Sequence, residues 1–198
     1  MPDLLVIGID PSLTALGISD GVSHNILYAL QPLSDEERAA STRRRTRDLA
    51  AQVADWIGER DQFDSRSTRR IVVYIEAPLL SSMGGGANHL YELGQLIACL
   101  YDYLEDYAER IVEVPSSTVR KFATGKGNTP KTQMALQVFK RFGIEFEKDP
   151  GCDKLFAYAL HRYGLAVESG EVQHVAPLRR GAGKKSRAIV AKREKKAA

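Results

Sequence analysis

Two short stretches of this chain are almost wholly apolar, and each stops on an acid. Leu4 to Ile9 (LLVIGI) runs into Asp10, and Ile71 to Ile75 (IVVYI) runs into Glu76. Runs of this length without polar alternation read as strands buried on both faces, the pattern of parallel strands covered by helices. That requirement excludes an open sheet with one wet face and points to an α/β fold. If the two strands are parallel neighbours, they lie about 5 Å apart, and their terminal carboxylates project from one sheet edge.

The remaining pattern supplies the other elements. Residues 4–9, 13–19 and 26–30 read as an antiparallel meander with a turn around Asp20-Gly21. Residues 36–60 read as a helix with Leu49, Val53, Trp56 and Ile57 at helical spacing and an arginine-rich front of Arg43, Arg44, Arg45 and Arg47. A strand at 71–76, a glycine- and serine-rich loop at 79–87 and a helix at 88–108 follow, then a strand at 111–114 ended by Pro115. Three helices are expected last, at about 117–123, from Thr129-Pro130 to Phe142, and from Asp149-Pro150 to Gly164. The expected fold is a mixed five-stranded sheet, three strands antiparallel and then two parallel, flanked by helices.

With 198 residues and 43% hydrophobic content, the chain is expected to form one domain with a sizeable core. No run approaches the roughly 18–20 apolar residues of a membrane span, and MPDLLVIGID lacks the basic start of a signal peptide. Cys99 and Cys152 make neither a disulfide framework nor a zinc site, so a reducing cytoplasm is expected. The net charge of +3 is unevenly spread. From Arg179 to Ala198 there are nine Lys or Arg and one acid, Glu194, a net +8 that leaves −5 for the rest. We therefore expect a folded domain over 1–177 and a basic, disordered DNA-binding tail over 178–198.

Like charges at one sheet edge are unfavourable unless a cation lies between them. Oxygen-only ligation suits Mg²⁺, with Mn²⁺ as a substitute. Asp149 and Asp153, four apart at the expected start of the last helix, add further carboxylates. Asp149 also directly precedes Pro150, which makes it an equally good helix N-cap. Residues 114–144 contain no acid but carry Arg120, Lys121, Lys126, Lys131, Lys140 and Arg141, together with two helix starts. Positive side chains and free helix N–H groups suit a phosphate backbone. His161, two turns beyond Asp153, reads as a packed or partly exposed helix residue and not as a ligand.

The segments IGIDPSLTALGIS (7–19), YIEAP (74–78), LGQ (93–95), VPSSTVRKFATGKGNTPKTQMALQVF (114–139) and DKLFAYALHRYG (153–164) resemble the RuvC Holliday-junction resolvases, within the RNase H-like nuclease fold. The resemblance covers about 4–165. It implies a Mg²⁺-dependent endonuclease that binds four-way junctions as a homodimer and nicks two strands symmetrically. It implies an acidic quartet holding two divalent ions, with Asp10, Glu76 and Asp153 in matching places. Asp149 is the candidate fourth, one position off the family's spacing, where Pro150 stands. Lys121, Lys126 and Lys131, with Arg120 beside them, match the segment that holds phosphates near the cut. Leu79 and Leu80 stand where the family carries an aromatic that stacks on a base. That departure and the basic tail resemble a phage-encoded branch acting on forks and flaps as well as junctions, in a bacterial or host cytoplasm. Two other readings remain open on the sequence. One is a branched-DNA-binding protein without catalysis. The other is an actin- or sugar-kinase-type ATPase, whose first phosphate loop GIDPSLTALG resembles, though the length argues against its two lobes.

Overall fold

The computed structural model describes residues 4–30, 35–62, 69–78 and 86–174. Its strands are β1 (Leu4–Asp10), β2 (Ala15–Ser19), β3 (His24–Tyr28), β4 (Arg70–Glu76) and β5 (Arg110–Val114). They form one sheet in the order β3-β2-β1-β4-β5. The β1–β2 and β2–β3 pairs are antiparallel, and the β1–β4 and β4–β5 pairs are parallel. The helices are α1 (Asp35–Gln62), α2 (Gly86–Leu104), α3 (Ser116–Thr124), α4 (Lys131–Phe142) and α5 (Asp153–Glu168).

The apolar runs are continuous because both faces of the sheet are covered. Ile7, Ile9, Ile71, Val73 and Ile75 join a core with Leu49, Val53 and Ile57 of α1 and Leu96 and Leu100 of α2. Val6, Val72 and Tyr74, of the opposite parity, join a second core with Phe156 and Leu160 of α5, Val119 of α3 and Met134 of α4. Each such side chain, fully buried, stabilises the fold by about 1.5–3 kcal/mol before conformational entropy is counted.

Several element boundaries differ from the sequence reading, for local reasons. β3 starts at His24 instead of residue 26 because Asp20 closes the preceding turn. Its Oδ1 accepts the amides of Val22 and Ser23 at 2.9 and 2.6 Å, so pairing resumes at Ser19↔His24. α2 ends at Leu104 instead of 108, where the Tyr107 amide turns back only three residues, to the Leu104 carbonyl at 3.1 Å. α5 begins at Asp153 instead of 149 and runs through Gly164 to Glu168. Gly164 is not a helix stop. A Cβ there would lie 2.5 Å from Tyr74 Cδ2, so the residue lets α5 lie close against the sheet.

Both cysteines are free. His161 is buried, with Nδ1 2.8 Å from the Val6 carbonyl oxygen, a packed residue as expected. Among the described residues no helix is long and apolar enough to cross a membrane. The expected tail at 178–198 and the expected base-contacting pair Leu79 and Leu80 lie outside the described residues.

Candidate active site

Strand alternation decides which way the two acids point. Asp10 has the parity of Val6, and Glu76 that of Val72 and Tyr74, so both project from the face covered by α5. The β1–β4 register pairs Ile9 with Ile75, which places Asp10 and Glu76 on the next rung of adjacent parallel strands. Asp10 is only 4% exposed. Burial first, then the charge of Glu76 and its hydrogen bond to Asp10, hold the Asp10 carboxyl well above the usual carboxylate range, against the pull of Lys131.

Asp153 arrives from α5, and two glycines set how near it comes. Gly17 pairs with Asp10 across β1–β2, and a Cβ at Gly17 would lie 2.2 Å from the Asp153 carbonyl oxygen. Gly8 does the same a helical turn further on, where a Cβ would lie 2.0 Å from the Ala157 carbonyl oxygen. These two close approaches bring the first turn of α5 onto the strand that carries Asp10. Their signal in the sequence is a single glycine interrupting each strand pattern, which the sequence reading did not use.

Lys131, the first residue of α4, fills the space between the acids. Its Nζ lies 3.1 Å from Asp10 Oδ2, 3.9 Å from Asp153 Oδ1 and 5.2 Å from the Phe156 ring centroid. Burial pulls the Lys131 pKa down, but Asp10, Glu76 and Asp153 outweigh it, and the ammonium is held more firmly charged than usual. Asp153 shifts upward through burial, opposed by Lys131 and aided by Asp149.

Asp149 stands outside α5, which corrects the expectation that it lies with Asp153 at the start of the last helix. Lys148 and Cys152 adopt left-handed backbone, φ 53° and 57°, and carry the chain through a tight turn before the helix. From there Asp149 Oδ1 accepts the amides of Asp153 and Lys154 at 2.8 and 3.3 Å, and Oδ2 accepts that of Leu155 at 2.9 Å. Both oxygens are engaged in satisfying orphan N–H groups of the first turn.

The basic segment divides into residues with different surroundings. Lys121 and Lys126 are exposed on α3 and on the turn that follows it. Arg120 is half-buried and donates from Nη1 to the Thr129 carbonyl at 3.4 Å, bracing the 124–130 turn. Thr124 and Thr129 join hydroxyl to hydroxyl at 2.8 Å in the same turn. Of these four basic residues, Lys131 is the one that reaches the acids.

Among the described residues, no three His, Cys, Asp or Glu side chains close on one point as a metal cage. The Lys131 ammonium stands between Asp10 and Asp153. The donors there are carboxylate oxygens only, one of them deeply buried, at a spot that already holds a positive group. That chemistry fits a hard divalent cation such as Mg²⁺ or Mn²⁺.

No protein-family model matches the chain, and no curated protein matches it in sequence. Solved structures do match in shape. RuvC of Thermus thermophilus superposes with a TM-score of 0.57 at 18% identity, over 84% of this chain and 96% of that one. T. thermophilus RuvC in complex with a Holliday junction substrate gives 0.56 at 15% identity, over the same shares. At such identities the similarity shows the fold, a mixed five-stranded sheet flanked by five helices of the RNase H-like kind.

Proposed function

We propose that this chain is a divalent-metal-dependent endonuclease that cuts branched DNA, four-way junctions first among its substrates. One observation carries the reading. Asp10 and Glu76 stand on one rung of adjacent strands at the sheet edge, and Asp153 faces Asp10 across a single ammonium. A neighbour of the same fold, T. thermophilus RuvC, was solved with a Holliday junction, which favours that substrate class.

In this reading Asp10, Glu76 and Asp153 hold two Mg²⁺, or Mn²⁺ in their place. Bound there, such ions supply the Lewis acidity that activates a water and stabilises the leaving oxygen. Asp10 is central among the three, beside Glu76 and sharing Lys131 with Asp153. Asp149 fixes Asp153 through the α5 amides and is the candidate fourth ligand. Lys131 gives up its contact with Asp10 and turns its ammonium to a non-bridging phosphate oxygen. Lys121 and Lys126, exposed beside it, hold flanking phosphates, and Arg120 keeps their turn in shape. Leu79 and Leu80, close in sequence to Glu76, are the proposed base-contacting pair. Two copies acting as a homodimer would place one site on each of two strands. The basic stretch 178–198 adds phosphate contacts. Together with Leu79 and Leu80 it supports a phage-type enzyme acting on forks and flaps as well, in a bacterial or host cytoplasm.

The test is a synthetic four-way junction incubated with the protein, with and without Mg²⁺. Nicking is expected only with the metal, and Asp10→Asn or Glu76→Gln should abolish it while junction binding persists. Cutting by either variant at the parental rate overturns the assignment.

A further inference from the structure

The proposed reaction leaves one strongly charged surface unused, on the other face of the sheet. Arg43, Arg44 and Arg47 of α1 are exposed, and among the described residues none of them has an ion-pair partner. Arg43 and Arg47 are four apart on one helical face, where like charges destabilise a helix by about 0.2–0.5 kcal/mol. They also border a cleft of about 300 Å³ between α1 and α2, shared with Gln95, Asp102 and Tyr103. Asp102 is the one acid in that lining, and the remaining polar groups are able to donate hydrogen bonds.

The direction of α1 places this surface beside the acids. Arg60 donates to Asp20 Oδ2 at 2.7 Å, in the β2–β3 turn at the far end of the sheet. Gln52 donates to the Tyr28 carbonyl at 3.2 Å, and Tyr28 pairs with Ala15 near the end where β1 stops. From Arg60 back to Arg44 the helix rises roughly 24 Å, so the arginines stand at and beyond the edge that carries Asp10 and Glu76. Thr42 fixes the height against α2 by donating to Glu92 Oε1 at 3.0 Å. Lys121 and Lys126 are exposed on α3 and the turn after it, on the opposite side of the sheet from α1.

We infer that Arg43, Arg44 and Arg47 form a second phosphate-binding surface that holds an arm of the same DNA on the α1–α2 side of the cutting edge. This rests on the reading of the chain as a branched-DNA nuclease. The chemistry selected is a run of backbone phosphates: several separate charges with hydrogen-bond donors around them. Contacts on both faces of the sheet let one protomer grip two arms that diverge from one cut.

The test uses the full chain carrying Asp10→Asn, so that the substrate survives. Binding to a synthetic four-way junction is measured between about 50 and 200 mM salt. Replacing all three arginines by glutamine should weaken binding and flatten the plot of log K against log salt by about 0.9 for each phosphate released. Replacing them by lysine should restore most of the slope. Lys121→Gln with Lys126→Gln serves as the comparison. If that pair flattens the plot and the arginine variant leaves affinity and slope unchanged, this inference falls while the nuclease reading stands. If the Asp10→Asn protein binds no junction at all, the nuclease reading itself falls.

Discussion

The Cα of Gly17 stands against the backbone of Asp153, so closely that a Cβ would come within 2.2 Å of the Asp153 carbonyl oxygen. Because Gly17 is also the pairing partner of Asp10, one missing side chain joins the strand and helix that carry two of the three candidate ligands. Gly17→Ala should force the start of α5 outward. We expect a stability loss of about 1–3 kcal/mol, as for other overpacked sites, and a larger proportional loss of nicking. Gly94 in α2 is the control, since nothing lies within 4 Å of a Cβ there. Gly94→Ala should stabilise by about 0.5–1 kcal/mol. Denaturant unfolding and a junction-nicking assay read both, and wild-type nicking by Gly17→Ala would refute the argument.

Lys131 is the cation that faces buried Asp10 among the described residues. Lys131→Met should therefore lower stability in chelator by about 1–3 kcal/mol, the range for a buried polar group losing its partner. The deficit should widen as pH rises, because a carboxyl whose folded pKa is raised favours folding at low pH and loses that contribution as it ionises. Added Mg²⁺ should stabilise the variant more than the parent. Equal thermal stability of the two proteins in chelator at pH 8 would count against the counter-ion role.

The two oxygens of Asp149 accept three α5 amides. Asp149→Ala should cost about 1–2 kcal/mol, as loss of an N-cap does, and Asp149→Asn less. If capping is the whole role, the asparagine variant keeps most of its nicking rate. If Asp149 also ligates metal, it fails as completely as Asp10→Asn. Nicking rates at saturating Mg²⁺ separate the two outcomes.

His161 is buried with Nδ1 on the Val6 carbonyl, and its Nε2 faces Gly21. Burial holds its pKa below the usual value; Arg162 and His24 push the same way, against the Val6 carbonyl and Asp20. A depressed folded pKa means the unfolded chain takes up the proton more readily. The contribution to stability is thus complete above the ordinary histidine value of about 6.5, shrinks as pH falls through the folded value, and then levels off. His24 and His174 are shifted in the same direction. Urea unfolding at pH 7.5 and 5.5 should show this loss, and His161→Gln should reduce the difference between the two pH values. An unchanged difference would exclude His161 as a contributor.

Much of the frame was legible because it depends on local apolar pattern. The runs before Asp10 and Glu76 announce doubly covered strands, and their common direction follows from the helix between them. What escaped the sequence depends on distance and backbone shape. Asp149 looks helical by its spacing from Asp153, but the left-handed backbone of Lys148 and Cys152 puts it outside the helix. Gly164 looks like a stop because a glycine often is one, while here Tyr74 needs the space. Lys131 was recognisable as basic and near phosphate. Its approach to Asp10, 121 residues away in sequence, appears only once α4 is folded against α5.

The pairing of Ile9 with Ile75 also says what kind of change this protein can absorb. Adding or deleting one residue inside either strand would turn its acid into the greasy layer under α1 and α2, an all-or-nothing fault that no compensating substitution nearby repairs. Anyone transplanting this centre into another scaffold must therefore carry over the two strands in step, with the helix that crosses them, since the carboxylates by themselves hold none of the geometry.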